Sequence, residues 1–220
     1  MGKGTRGAEK IYAELLIRTI TLIKDGSVEK TGLPKTHPLV RFAHKPDDIE
    51  CALSLDDTVK WGALSLMADS HDKWVSDLAK RLRDRKLYKC IDVRAKIAHD
   101  KDDAAASSPE ADEVCANIRD EVVKCLDQWS ARSPDRPPRI LVDEVKRSPY
   151  NKLTEEAKGP LNQINIRTEG DRLADLSTRS SVVAALNTYK AFRLYHADED
   201  KEARTKVMEI VDAGISKWPA

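Results

Sequence analysis

Two His-Asp dipeptides, His71-Asp72 and His99-Asp100, carry side chains that could hold a hydrolytic metal ion. Imidazole and carboxylate ligands together bind a divalent ion and leave a coordination position open for water. Asp72, however, stands where a helix is predicted to begin, and Asp is favoured there as a cap. Asp100 opens a polar stretch rich in Asp and Ala. Capping and loop roles are therefore the favoured interpretation, and a metal-dependent hydrolase that uses these pairs is an alternative.

A run of cations in Lys80–Asp92 is a stronger candidate for a binding site. The formal net charge of the whole chain is only +1, so this density of positive charge is local. Arg grips two phosphate oxygens at once, whereas Lys adds a point charge. If the segment is a strand, Arg85 and Lys89 share parity and project to one side. The run either binds an anionic ligand or forms salt bridges at a helix end, where the helix dipole favours cations.

No glycine-rich phosphate loop, nucleophile elbow or zinc-ligand spacing occurs in the sequence, so no catalytic residue is predicted. The four cysteines lie far apart, which favours buried free thiols over disulfides or zinc. The near-zero net charge argues against a general nucleic-acid-binding domain but is compatible with a small anionic ligand. No apolar run reaches the ~20 residues of a membrane span, and the N-terminus lacks a signal-peptide core. We therefore expect a soluble, cytoplasmic protein.

The elements that must position these residues begin with a helical part. Thr5–Lys24 has a wide apolar stripe and ends near Gly26, and Ser27–Pro46 is predicted to be a connection with at most one helical turn. Helices then follow the acidic start signals at Asp47-Asp48 and Asp56-Asp57. A further helix, capped by Ser70 or Asp72, leads into the basic run.

From Leu87 onward, strand and helix patterns alternate. The predicted strands are Leu87–Val93, Ile140–Val145, Leu161–Thr168 and Lys190–Tyr195, and the predicted helices are Pro109–Trp129, Ser180–Leu186 and Glu202–Lys217. The order β-α-β-β-α-β with a terminal helix is that of the ferredoxin-like fold. We therefore expect an α+β protein with a helical region at 1–84 and a ferredoxin-like region at 85–220. The basic run lies at their joint, and joints of this kind often bind ligands.

The segment Leu53–Val93 resembles the region downstream of the catalytic core in HD-superfamily phosphohydrolases related to the SAM- and HD-domain dNTP triphosphohydrolase. Those proteins share a DD-x₃-W/F helix, an S-D-L-A-x-R-L helix and R-x-L-[FY]-K at a strand start. The matching residues are Asp56, Asp57, Trp61, Ser76, Asp77, Leu78, Arg85, Leu87, Tyr88 and Lys89. The stretches 140–151 and 175–183 are similar to that family's C-terminal region, so the resemblance extends over most of the chain.

The start of the chain is similar to a second family motif, Y-x-H-K-x-x-R-x-x-E, which follows the catalytic core. Lys3, Arg6 and Glu9 match its second half, and Gly2 stands where the family has His. The resemblance implies that the catalytic HD core, with its metal-binding H…HD…D set, is missing from this chain. It therefore implies a C-terminal half that holds no catalytic residue or metal of its own and does not hydrolyse nucleotides by itself.

In that family, the Arg and Lys of R-x-L-[FY]-K and the Lys of the H-K motif help to hold a regulatory nucleotide between subunits. The positions carried over are Arg85, Lys89 and Lys3. The resemblance thus implies a non-catalytic part that binds GTP or a dNTP, with Mg²⁺ entering only with the nucleotide, and no other cofactor. It also implies assembly as a homo-oligomer or with an HD-core partner. A protein-interaction module with no nucleotide site is the remaining alternative.

Overall fold

A computed structural model describes residues 2–147, 164–168, 172–186 and 188–218. The chain divides into two units, one formed by Met1–Asp143 with Arg193–Ala220 and the other by Glu144–Phe192. Helices followed by a small antiparallel sheet and a terminal helix confirm the predicted α+β class. Within the described residues, the helices are too short or too polar to cross a membrane. The predicted boundary between residues 84 and 85 stays a prediction.

The first unit contains eight of the described helices, and a short one lies in the second unit. In the first unit these are α1 (Lys3–Lys24), α2 (Pro38–His44), α3 (Ile49–Leu53), α4 (Asp57–Ala68), α5 (Lys73–Arg83), α6 (Val93–Asp100), α7 (Pro109–Arg132) and α9 (Lys201–Ser216), and α8 (Ser181–Ala185) belongs to the second. Short 3-10 helices occupy Val28–Thr31, Ala105–Ser107 and Leu176–Thr178. α2 has nearly two turns, so the prediction of at most one turn before Pro46 was wrong. Pro38 at its first position has the backbone angle that a helix start requires.

Acidic side chains start three helices where the sequence predicts them. Asp48, Asp56 and Asp72 each accept a hydrogen bond from a backbone N–H three residues on, at 3.1, 2.7 and 3.0 Å. These N–H groups have no partner within the helix, so each carboxylate satisfies a donor that would otherwise be unpaired. The three caps fix the starts of α3, α4 and α5.

The helical core forms where α1 and α4 both pack against α5. Ile11 and Leu15 of α1 are fully buried, as are Val75 and Leu78 of α5. A glycine at position 32, with φ of 77°, lets the chain pass close to α4, because a Cβ there would lie 2.3 Å from the carbonyl oxygen of Leu66. This core holds the end of α5, and with it the start of the basic run.

Three strands form the larger sheet, in the order β1 (Lys89–Asp92), β5 (Tyr189–His196), β2 (Ile140–Arg147). β1 and β5 are antiparallel, with Lys89 opposite His196 and Asp92 opposite Arg193. A second sheet is the antiparallel pair β3 (Asn165–Arg167) and β4 (Leu173–Asp175).

The strand pairing differs from the ferredoxin-like arrangement expected from the sequence. The described part of the predicted third strand lies in β3 and pairs with β4, which the sequence pattern did not predict, instead of joining the larger sheet. Asn165 and Arg167 are exposed and Ile166 is only half-buried, so this short strand has no continuous apolar face to bury. Residues 161–163 of that predicted strand, and 148–151 of the stretch similar to the HD family, lie outside the described residues.

The prediction of a strand up to Val93 followed by a polar gap was wrong, because α6 begins at Val93. Asp92 ends β1 and also caps α6, accepting a hydrogen bond from the Ala95 N–H at 3.2 Å. Val93 and Ile97, four residues apart, are fully buried on one face of this helix. Because no Gly or Pro separates the strand from the helix, the sequence did not reveal the change from strand to helix periodicity.

Candidate functional site

Arg85 lies in the turn that ends α5 and is the one non-glycine residue with positive φ, 55°, in the described part of the chain. Its N–H donates to the carbonyl of Leu82 at 3.3 Å, and the next N–H, of Lys86, donates to the carbonyl of Arg81 at 2.9 Å. These two bonds define a Schellman motif, in which the left-handed position is usually glycine because a Cβ is disfavoured there. This chain has an arginine at that position.

The side chains of Arg85 and Lys89 are both open to solvent. Arg85 is exposed and forms no salt bridge with any described residue. The Lys89 ammonium lies 3.9 Å from Asp198, and both side chains of that pair are more than 60% exposed, at 61% and 62%. An exposed pair at this distance contributes little to stability. Neither side chain therefore makes an ion pair that contributes much to the stability of the fold.

The expectation that Arg85 and Lys89 share one side of a strand was wrong. β1 begins at Lys89, and Arg85 belongs to the turn before it, so strand parity does not relate the two side chains. The end of α5 fixes the position of Arg85, whereas the pairing of β1 with β5 fixes the position of Lys89.

Lys3 lies at the other end of β1. Its ammonium is 3.2 Å from a carboxylate oxygen of Asp92, which also accepts a hydrogen bond from Arg193 at 3.2 Å. A strand rises ~3.3 Å per residue, so Asp92 is about 10 Å along β1 from Lys89. Asp92 and Lys89 also differ in parity and point to opposite faces of the sheet. Lys3 is therefore positioned apart from Lys89.

The remaining residues of the K-x-x-R-x-x-E stretch hold α1 against β2. Arg6 binds Glu9 at 2.6 Å and the fully buried carboxylate of Asp143, which Lys10 approaches at 3.6 Å. Burial alone would raise the pKa of Asp143, but the hydrogen bonds and charge of Arg6 outweigh it and hold that pKa below its ordinary value. These side chains have a structural role in the described fold.

The His-Asp pairs do not come together. Asp72 caps α5 and also binds Arg18 at 2.6 Å, so its carboxylate is occupied by structural contacts. His99 and Asp100 are exposed at the end of α6. No group of three or more His, Cys, Asp or Glu side chains suited to a metal ion occurs among the described residues. The four cysteines are free thiols, and Cys115 and Cys125 are buried as predicted, whereas Cys51 and Cys90 are only half-buried.

The sequence did not predict a cavity of about 810 Å³ within the first unit. Arg81 from the basic run lies over the Tyr88 ring at 5.1 Å, and Arg139 lies over the Trp129 ring at 4.3 Å. Burial raises the pKa of Tyr88, whose hydroxyl donates to the carbonyl of Pro138 at 3.4 Å. The sequence signals nearest to the cavity are the basic run and a proline-rich turn, Pro134–Pro138, which follows α7.

Comparison with known proteins gives a likeness in structure only. No family description matches the sequence, and no curated protein matches it. The chain is similar to the crystal structure of a phosphohydrolase from Bacteroides thetaiotaomicron, with a TM-score of 0.53 and 18% sequence identity. The match covers 89% of this chain and 45% of that one, so this chain spans less than half of that protein. At this level of identity the likeness shows a shared fold.

Proposed function

We propose that this chain is the non-catalytic C-terminal portion of a cytoplasmic HD-superfamily phosphohydrolase. In this proposal it binds a regulatory nucleotide, GTP or a dNTP with Mg²⁺, and takes part in assembly. The proposal is supported by the R-x-L-[FY]-K resemblance at Arg85 and Lys89 and by the fold shared with a protein named as a phosphohydrolase.

The single observation that carries the proposal is the arginine at the left-handed end of α5. A non-glycine residue in this conformation costs about 1–2 kcal/mol, and such strain is concentrated at functional sites. The Arg85 side chain recovers none of that energy through a salt bridge to the described residues. A function for the side chain accounts for its presence, and an exposed guanidinium is suited to two oxygens of a phosphate. Lys89 would add a second positive charge.

Lys3 is the third member of the proposed site and the least supported by its surroundings. Its ammonium is paired with Asp92, although its side chain is 53% exposed. A phosphate would have to compete with that carboxylate. Substitution of Lys3 is therefore expected to weaken nucleotide binding less than substitution of Arg85 or Lys89.

Assembly is supported by apolar side chains that the first unit leaves in solvent. Ile49 and Leu53 lie four residues apart on α3 and are 74% and 79% exposed, and Trp61 of α4 is 58% exposed. Ile49 and Leu53 share one face of α3, and exposed apolar side chains of this kind are typical of protein contact surfaces. In this proposal the surface contacts a second copy of the chain or a chain that carries an HD core.

The experiment is thermal unfolding with and without 1 mM GTP or dNTP and Mg²⁺, with light scattering to follow assembly. Ligand at ten times its Kd stabilises the folded state by about 1.4 kcal/mol, which for a chain of this size raises Tm by roughly 3–5 °C. The double variant Arg85→Ala, Lys89→Ala is expected to lose this shift. Lys86→Ala removes an adjacent exposed cation and is the matched control, so it should keep the shift. Absence of any shift in the wild type contradicts the proposal.

A further inference from the structure

The cavity in the first unit is separate from Arg85 and Lys89, neither of which lines it. Its volume of about 810 Å³ falls within the range of sites that enclose small molecules, ~300–1,000 Å³. It is lined by one face of α5 along its length, the end of α7, the turn that follows α7, and the connection from β5 to α9. A ligand bound in this cavity would therefore occupy a different site from a regulatory nucleotide at Arg85 and Lys89.

The cavity wall has planar groups that are held in place. Arg139 lies over the indole of Trp129 and donates to Asp200 at 2.5 and 2.7 Å and to Glu202 at 2.9 Å. The guanidinium is therefore fixed by a ring and two carboxylates. A stack of a guanidinium on an indole presents a flat surface of the kind on which nucleobases stack.

The same wall has surplus hydrogen-bond acceptors. Arg81 is shared between Asp77 and Glu199, at 2.9 and 2.5 Å, as Arg139 is shared between Asp200 and Glu202. Two cations thus serve four carboxylates, which leaves two negative charges in excess. A carboxylate accepts up to four hydrogen bonds, so Glu199 and Glu202 keep acceptor capacity after binding their arginines. A ligand at this wall should offer N–H donors.

The opposite kind of charge comes from the end of α7 and the turn after it. Arg132 and Arg136 line the cavity, are exposed, and have no salt bridge to any residue in the described ranges. Ser130 and Ser133 line the cavity beside them. Two unpaired guanidinium groups with neighbouring hydroxyls are suited to the oxygens of a phosphate.

We propose that this cavity binds a nucleoside monophosphate whose base has an exocyclic amine. In this arrangement the phosphate lies at Arg132 and Arg136, the base stacks on the Arg139–Trp129 pair, and the amine donates to Glu199 or Glu202. A base that presents a carbonyl in place of the amine would place two acceptors against each other and bind more weakly.

The probes are CMP and UMP. CMP has an amine donor at C4 and an acceptor at N3, whereas UMP has a carbonyl acceptor at C4 and an N–H donor at N3, so the comparison reads the group at C4 together with the reversed polarity at N3. Titration calorimetry on the full chain is expected to show CMP binding at least tenfold more tightly than UMP, because a hydrogen bond to a charged group has at least that effect on affinity. Cytidine, which lacks the phosphate, is expected to bind more weakly than CMP. Equal affinities for CMP and UMP, or no binding of either at millimolar concentration, would overturn the proposal.

A double variant and a control test whether Arg132 and Arg136 bind the phosphate. The double variant Arg132→Glu, Arg136→Glu is expected to lower the affinity for CMP at least tenfold and to leave the affinity for cytidine unchanged. Arg41→Glu is the matched control, because Arg41 is also an exposed arginine in the last turn of a helix, α2, and does not line the cavity. It should bind CMP as the wild type does. An unchanged CMP affinity in the double variant overturns the assignment.

The outcome is distinguishable from that of the proposed regulatory site. Arg85→Ala with Lys89→Ala is expected to keep CMP binding, since neither residue lines the cavity. Loss of CMP binding in that variant, with an unchanged circular dichroism spectrum, would show that CMP binds elsewhere and overturn the cavity assignment. A chain that binds CMP and shows no thermal shift with GTP would retain this inference and contradict the proposed function.

Discussion

Replacing Arg85 by glycine should stabilise the protein. An L-residue in the left-handed region costs about 1–2 kcal/mol, and Arg85 has φ of 55° there. Glycine removes that cost but adds roughly 0.4–1 kcal/mol of backbone entropy in the unfolded chain. The difference predicts that Arg85→Gly raises the free energy of unfolding by about 0.5–1 kcal/mol. Arg85→Ala keeps the Cβ and should change it by less than about 0.5 kcal/mol.

Urea unfolding followed by circular dichroism measures this difference. With a slope of about 2 kcal/mol per molar urea, the midpoint of Arg85→Gly should move up by roughly 0.3–0.5 M at an unchanged slope. The alanine variant is the control, because it removes the same guanidinium without relieving the backbone. If Arg85→Gly lowers the midpoint, the arginine side chain stabilises the fold, and the argument that it is retained for binding is refuted.

Three further predictions concern the fold that carries the site. Asp143→Asn leaves Arg6 without its buried partner, so the free energy of unfolding should fall by about 3 kcal/mol in urea unfolding; an unchanged midpoint would show that the pair is dispensable. Because the pKa of Asp143 is lowered in the folded state, its contribution is present above its ordinary pKa of 3.8 and is lost as pH falls through the folded value. From pH 5 to pH 2 the wild type should therefore lose more stability than Asp143→Asn, and parallel curves would contradict that assignment. Gly32→Ala should lower the free energy of unfolding by about 3 kcal/mol, since its Cβ would lie 2.3 Å from the Leu66 carbonyl oxygen. Gly26→Ala has the same φ of 77° with open space around it and should lower the free energy of unfolding by about 1 kcal/mol. Equal losses would mean that the chain moves to relieve the contact at Gly32.

Most of the described helices could be predicted from the sequence because local signals specify them. Acidic caps such as Asp56 and Asp72 bind N–H groups three residues away, and the apolar stripe of α1 faces the core it was expected to face. Helix α6 could not be predicted, since Asp92 is at once the last residue of β1 and the cap of the helix. A change from strand to helix periodicity is recognised when turn residues separate the two elements, and no such residues separate β1 from α6.

The site residues stay a prediction, and the geometry around them could not be predicted. The resemblance to R-x-L-[FY]-K selects Arg85 and Lys89 from the basic run, but only the backbone shows that Arg85 occupies a position favoured by glycine. The pairing of Arg139 with Asp200 joins residues 61 apart in sequence, and that of Arg81 with Glu199 joins residues 118 apart. No local pattern relates residues at such separations, so the cavity could not be predicted from the sequence.

In the proposed function, Arg85 binds the phosphates of a nucleoside triphosphate. Calorimetric titration of GTP with Mg²⁺ into the wild type, Arg85→Ala and Lys86→Ala tests it directly. A charge-assisted contact contributes ~1.5–3 kcal/mol, so Arg85→Ala should bind GTP at least tenfold more weakly, and Lys86→Ala should stay within twofold of the wild type. Equal losses in both variants, or no loss in Arg85→Ala, would contradict the claim.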